Sequence, residues 1–389
     1  MGSLRCGSKA ATAREGMRLA EFVATRPPFE IDQQRSLAWL AAAHAEAEAT
    51  VAKLDDRERN RFETKVARVL GRCAPQPSKL ARRGHSVADV ERAGFAANEL
   101  YDLTRHAHGR TTAVRMKMFA DRVTDYFART YEAEQQPPDD LIHVTCTGYV
   151  SPSGAQRLVA AKGWGSHTRV THAYHMGCYA ALPAVRIAAG FSAIGARRVD
   201  IAHTELCSLH LDPSDHRVEQ LVVQSLFADG LIRYSMLPDA GPGLRLVTAY
   251  EVVLPDSESS MGWRISDHGM QMTLARDVPD RIASALRGFV LELFKRGGLQ
   301  LGHLKTSVFA VHPGGPKIID RVRDVLELDD GQVAASRGVL HDYGNMSSAT
   351  LPHIWMRLLA DPNVPRGTLI PSLAFGPGLT VCGALLEKQ

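Results

Sequence analysis

Three short segments carry residue types that can do acyl chemistry together. They are His175-Met176-Gly177-Cys178-Tyr179-Ala180, Val311-His312-Pro313-Gly314-Gly315-Pro316 and Asp342-Tyr343-Gly344-Asn345-Met346-Ser347-Ser348-Ala349. Each sets one functional side chain near glycine: a thiol, an imidazole and an amide. A fold that brings these three to one point can transfer an acyl group through an enzyme-bound thioester. A free thiol ionises near pKa ~8.5, and a helix N-terminus or an adjacent imidazolium favours its thiolate. Gly177 lets the backbone turn tightly and leaves the Cys178 sulfur accessible. A buried structural cysteine fits the same local motif. The other five cysteines (Cys6, Cys73, Cys146, Cys207 and Cys382) lack the Gly-Cys-helix setting and read as structural.

His312 follows an apolar run and precedes Pro-Gly-Gly-Pro, a rigid turn that would expose the imidazole to a cavity. Asn345 fits a turn residue, a helix N-cap or an oxyanion donor. Ser347 and Ser348 read as capping and packing residues. The pairs His106/His108 and His172/His175 have no companion residues at metal-ligand spacing, so solvent or core roles are expected and no metal site.

The elements that must position these residues follow from periodicity. Residues 31–135 read as mostly helical, with an Ala-rich stretch at 36–45 and a second helix at 57–70. Gln135-Gln136-Pro137-Pro138-Asp139-Asp140 is a break. Residues 141–147 have a buried-strand pattern, and 170–176 a second one. Residues 178–190 have helical spacing, which places Cys178 at a strand-to-helix turn. Further strands are expected at 199–203 and 243–255, with a helix at 218–227 between them. In the second half a helix spans 280–296, a strand 307–311, and helices 317–326 and 346–359. His312 lies in the turn after that strand. A hairpin at 369–374 and 379–384 closes the chain. Two successive halves, each with its chemistry at a strand–helix junction, argue for an α/β architecture of layered sheets and helices. The expected organisation is a disordered leader at 1–16, an N-terminal half at 17–240 with the cysteine, and a C-terminal half at 241–389 with the histidine and asparagine.

Composition excludes several classes. A chain of 389 residues can bury one large core or two fused domains. A net charge of +4 is too small by itself to imply nucleic acid. No stretch of 18 or more uncharged apolar residues is present, so no transmembrane helix is expected. The leader lacks an apolar core and does not read as a signal peptide. Six cysteines without CxxC spacing argue against a disulfide framework and fit a reducing, cytoplasmic setting.

Gly177-Cys178, His312 to Pro316 and Gly344 to Ala349 together resemble the chalcone synthase family, the type III polyketide synthases. Further matches are Pro213-Ser214-Asp215, Leu226-Phe227-Ala228-Asp229-Gly230, Asp277-Val278-Pro279 and Phe375-Gly376-Pro377-Gly378-Leu379-Thr380. They fall in the family's order and cover roughly residues 20–389. The resemblance implies a thiolase-like fold with two similar halves in an α-β-α-β-α layering. It also implies a homodimer and a Cys-His-Asn centre at the end of a buried tunnel. Cys178 would be acylated, and His312 and Asn345 would hold the thioester carbonyl and stabilise an enolate. Phe227, Gly376 and Pro377 would touch substrate. No cofactor would be needed; coenzyme A or phosphopantetheine thioesters would be the substrates.

Departures from the family pattern set further expectations. Two phenylalanines usually separate tunnel and reaction cavity; alignment puts His210 and Met272 at these places. Cys146 stands where the family often has Thr or Ser. Ser151 stands where plant members carry a bulky residue that reaches across the dimer. These changes suggest room for long acyl chains. Basic residues at 57–83, with Lys65, Arg68 and Arg82 foremost, form either a solvated helix face or a phosphate patch for coenzyme A or an acyl carrier protein. Within the family the chain looks most like bacterial stand-alone ketosynthases that join two carrier-bound β-keto chains into an α-pyrone antibiotic. The alternatives are an iterative synthase extending a long acyl-CoA with malonyl-CoA to alkylpyrones or alkylresorcinols, and a non-catalytic carrier-binding scaffold.

Overall fold

Alternation along the strands of this chain divides the apolar residues between three cores. In Asp140–Thr145, Leu141 joins an outer core, while Ile142 and Val144 join a central one. In Val199–Glu205 and Gly230–Pro238, Ala202 and Leu231 face outward, and Ile201 and Ile232 face the centre. In Thr380–Lys388, Val381 and Leu385 join a second outer core, and Cys382, Ala384 and Leu386 the central one. Period-two patterning therefore buries both faces of the sheet.

The computed structural model describes residues 16–238 and 241–389. The expected leader at 1–16 lies, up to residue 15, outside these described residues. Among the described residues nine strands form one mixed sheet. Its order is Ala310–Val311, Leu369–Gly376, Thr380–Lys388, Leu244–Val253, Met17–Thr25, Gly230–Pro238, Val199–Glu205, Asp140–Thr145 and Arg169–Tyr174. The strands of residues 17–238 occupy one end and those from 244 onward the other. The two ends meet where Arg18 and Leu19 pair with Arg245 and Leu244. Each end has the same logic: parallel strands at its rim, then antiparallel ones toward the joint.

Two helices, Ala181–Ala193 and Thr350–Ala360, fill the central core between the two ends. They begin alike, Ala181-Leu182-Pro183 and Thr350-Leu351-Pro352. The proline costs little there, because first-turn N–H groups have no intrahelical acceptor. Outer helices Gln33–Ala52, Thr112–Thr130 and Gly154–Ala161 cover one outer face, and Val278–Arg296 and Pro316–Leu326 the other. The chain is thus α/β with helical and sheet layers in alternation.

Several expectations shift. Residues 86–111 are largely loop, with only a short turn at Ala88–Glu91; the buried Asp89 carboxylate accepts the N–H groups of Leu100 and Tyr101 at 2.8 and 2.7 Å. The strand expected at 307–311 is reduced to Ala310–Val311. The helix expected from Met346 opens as a tight turn, Ser347–Ala349, before Thr350. Among the elements not anticipated are strand Met17–Thr25 and the hairpin Met261–Ser266/Gly269–Leu274.

Candidate active site

The nucleophile turn is fixed by glycine and by a second cysteine. Strand Arg169–Tyr174 ends at His175, and Gly177 takes φ +89°. A Cβ at Gly177 would stand 2.5 Å from Pro377 Cδ, so only glycine fits both the angle and the contact. The Gly177 N–H donates to Cys146 Sγ at 3.0 Å. Cys178 follows, one turn before helix Ala181–Ala193, and its Sγ lies 3.8 Å from Ser347 Oγ. The sequence favoured a thiolate here. The structure instead leaves Cys178 half-buried in the cavity wall, and desolvation pushes its thiol up to about 12 despite the Ser347 hydroxyl.

His312 sits directly after strand Ala310–Val311, and its backbone N–H is held by Leu373 O at 2.8 Å. Pro313-Gly314-Gly315 then leads into helix Pro316–Leu326. The ring is buried, and neither nitrogen has a hydrogen-bond partner. Burial lowers its pKa to about 3, so the imidazole is neutral near pH 7. The expected thiolate–imidazolium pair is therefore replaced by a neutral thiol and a neutral imidazole.

Asn345 is clamped at both ends of its backbone. Its N–H donates to Leu226 O at 3.0 Å, and its carbonyl accepts from Ala228 N–H at 2.8 Å. Its side-chain Oδ1 accepts the Ser347 N–H at 2.9 Å, an Asx turn. That bond assigns the amide orientation and leaves Nδ2 buried without an acceptor. Of the three roles open from sequence, the geometry gives a turn residue with a free donor. Beneath it, buried Arg83 donates to the carbonyls of Gln224 and Phe227 at 2.7 and 2.8 Å, tying down the Phe227–Asn345 bridge.

Cys178, His312 and Asn345 line one cavity of about 520 Å³. A second chamber of about 30 Å³ lies beyond Cys178, bounded by Cys146, Thr147, Cys207, Trp263 and Pro377. The side chains shared by both chambers are Cys178, Phe227, Met261 and Met272. Met272 thus stands at the neck. His210 does not. Its Nδ1 accepts the Met270 N–H at 3.1 Å and its Nε2 donates to Thr147 O at 2.8 Å, so the ring is bound to backbone and lines neither chamber. Phe227, from the Leu226–Gly230 motif, supplies the aromatic of the neck.

Gly376 packs against the Tyr179 ring and stays off both chambers. Ser151 is on the exposed surface, away from them. Lys65 and Arg68 are exposed on helix Asp56–Cys73 without lining the cavity, and Arg82 pairs with Glu30 at 3.1 Å. From the basic set at 57–83 the cavity mouth carries Arg72 and Lys79, joined by Lys317. Helix geometry explains the shift: Arg72 is one turn beyond Arg68, at the end that meets the mouth.

Sequence reasoning missed Glu205 and Trp263. Glu205 ends the buried strand Val199–Glu205, where a carboxylate closing an apolar run was the available signal. It accepts the Cys146 N–H at 3.0 Å and the Thr147 hydroxyl at 3.1 Å, and also the Ser348 hydroxyl. Burial raises it to about 7 against these bonds. Trp263 Nε1 donates to Cys146 O at 2.6 Å. Among the described residues no helix is long and apolar enough to cross a membrane.

A model of the C-terminal domain of chalcone and stilbene synthases matches residues 245–388. A 1,3,6,8-tetrahydroxynaphthalene synthase of Streptomyces coelicolor is 30% identical over 296 residues, covering 75% of this chain and 75% of that protein. A polyketide synthase of Dictyostelium discoideum is 31% identical over 258 residues, 64% of this chain, yet the chain spans only 8% of that much longer protein. In fold, the chain is similar to PKS-I of the brown alga Ectocarpus siliculosus. The TM-score is 0.82 at 21% identity, with 98% of this chain and 100% of that one covered.

Proposed function

The chain belongs to the chalcone and stilbene synthase family, the type III polyketide synthases, and on that premise we propose that Cys178, His312 and Asn345 are its catalytic residues. The family makes it an acyltransferase of the ketosynthase type, working by Claisen condensation. The observation that carries the residue assignment is one cavity holding a thiol and three buried, partnerless polar atoms: His312 Nδ1, His312 Nε2 and Asn345 Nδ2. Buried polar groups are normally paired, so atoms left open in a cavity are available to a ligand.

In the loading step, neutral His312 takes the Cys178 proton as the sulfur attacks the thioester carbonyl. A new C–S bond forms, the old one breaks, and His312 returns the proton to the departing thiolate. A neutral base suits this better than an imidazolium, which has no free nitrogen lone pair to accept a proton. Asn345 Nδ2 donates to the carbonyl oxygen as it gains charge. In the second step neutral His312 takes the α-proton of the second β-ketoacyl thioester. The enolate so formed, held by the same donors, attacks the acyl carbon, and the proton returns from His312 to the Cys178 sulfur as it departs. A C–C bond forms and the Cys178–carbon bond breaks.

For the finer assignment, the reading is the joining of two β-ketoacyl thioesters, with release as an α-pyrone when an enol oxygen closes on the remaining thioester. Arg72, Lys79 and Lys317 at the mouth suit the phosphate of coenzyme A or of a carrier protein's phosphopantetheine arm. The protein is then a homodimer acting in the cytoplasm, without a cofactor of its own. The test is intact-protein mass spectrometry after incubation with acyl-CoA and acyl-carrier thioesters. The wild type gains the acyl mass on Cys178, and Cys178→Ala does not. Mass on Cys146 or Cys207 instead, or none with any donor, would refute the assignment; a binding scaffold gives the latter result.

A further inference from the structure

The two chambers on either side of Cys178 are unequal in a way that decides where an acyl chain can lie. The inner one measures about 30 Å³, room for about two waters. Its walls are pinned. Trp263 donates from Nε1 to Cys146 O at 2.6 Å, and its own carbonyl is held by His175 Nε2 at 3.0 Å. Its indole meets His210 edge-on at 6.0 Å, and His210 is itself bound to Thr147 O and the Met270 N–H. Enlarging this space would break buried hydrogen bonds, each expensive to leave unmade.

The outer chamber measures about 520 Å³. Its basic side chains are at the rim, while Val222, Leu274, Val278, Ile282 and Ile318 form an apolar wall contributed by several elements. Val222 belongs to helix Val218–Leu226, Leu274 to the hairpin, and Val278 and Ile282 to helix Val278–Arg296. This wall offers dispersion contacts and no hydrogen-bond partner, which suits a flexible aliphatic chain.

We infer that the acyl chain carried by Cys178 folds back toward the mouth and lies against the Val222–Leu274–Ile282 wall of the outer chamber. The inference rests on Cys178 being the acylated residue. The substrate class is a flexible aliphatic acyl thioester of medium length. Its chain shares the outer chamber with the arm of the incoming donor. The inner chamber of about 30 Å³ is too small for repeated extension, so the geometry favours one condensation between two preformed chains over iterative growth.

The experiment compares loading rates of Cys178 from butyryl-CoA and decanoyl-CoA by intact-protein mass spectrometry. It uses wild type, Ile282→Trp, Val222→Trp and Trp263→Ala, each checked for an unchanged melting temperature. The two tryptophan insertions come from different helices, so failure of one to fold leaves the other. Either insertion should slow decanoyl loading by about tenfold or more, with butyryl loading nearly unchanged. Trp263→Ala should leave the ratio of the two rates within about twofold, well below the discrimination of a single methylene pocket. A several-fold rise of that ratio in Trp263→Ala, or equal slowing of both substrates by the insertions, would place the chain elsewhere and overturn the inference. Absence of any mass gain in the wild type would remove the acyl-Cys178 reading itself, a separate outcome.

Discussion

Acid should unfold this protein before it protonates the candidate active site. Among the described residues seven histidines are buried and held neutral: His85 lies well below the ordinary imidazole range, and the other six are His143, His203, His210 and His312 with pKa about 3, and His44 and His353 with pKa about 4. Burial is the first cause in each. In the unfolded chain all six would titrate near ~6.5. Between those values the unfolded state binds protons that the folded state refuses. Stability is therefore full at and above neutral pH, falls as pH drops below about 6.5, and levels off only near pH ~3. At about pH 5 each such histidine costs about 2 kcal/mol relative to pH 8, and the set about 12 kcal/mol. Glu205 works the other way. Its folded pKa of about 7 lies above the model-peptide value, so acid returns about 2.5 kcal/mol through it. The remainder is as large as the whole stability of an ordinary protein, ~5–15 kcal/mol. The assay is a urea midpoint at 25 °C, measured from pH 8 to pH 5, beside the rate of Cys178 loading. The midpoint should collapse across this range. Loading should fall with the folded fraction, with no separate inflection near 6.5 from His312. A midpoint unchanged at pH 5 would refute the reasoning, because it requires these imidazoles either to be solvated or to share charge with an unseen partner.

Asn345→Ala removes the free Nδ2 donor and should lower kcat by about 10²–10³, the usual loss for one oxyanion donor. It should leave acyl loading stoichiometric; full turnover with a native melting temperature would exclude that role. Gly177→Ala places a Cβ 2.5 Å from Pro377 Cδ at φ +89°, so the nucleophile turn must shift. Iodoacetamide should then modify Cys178 at a changed rate and product formation should fall, while an unaffected variant would show the turn to be tolerant.

The parts of the site that were legible in sequence are those fixed within a few residues. Gly-Cys before a helix, His after a short strand and Gly-Asn before a helix are local patterns, and each lands on the shared cavity. What failed depends on long-range geometry. His210 and Phe227 are both near the neck in sequence terms, and which one faces the chambers depends on how His210 meets the hairpin backbone at Met270. Only the pairing of Met272 with Trp263 across that hairpin puts both on the chamber face. Of the basic side chains at the mouth, Arg72 and Lys79 belong to the 57–83 set, whereas Lys317 joins them from the other half of the chain, a pairing no local pattern reveals. The thiolate expectation weighed a helix terminus, a surface-scale effect, against a degree of burial that no single sequence segment reveals. The layered fold was legible through strand and helix periods. The strand at 17–25 was not, because its mixed pattern acquires meaning only from its partners more than 200 residues away.

That joint strand has a consequence for how the chain is made. Met17–Thr25 waits for Gly230–Pro238 and then for Leu244 before either edge of it is paired. Pairings so distant slow folding, because a long loop must close before any contact rewards it. On a ribosome the order is stricter still. Cys178 emerges well before His312 and Asn345, so a nascent chain holds a solvated, ordinary thiol for much of its synthesis. Competence for acyl transfer therefore arrives late and at once, when the last third of the polypeptide docks onto the part that carries Cys178.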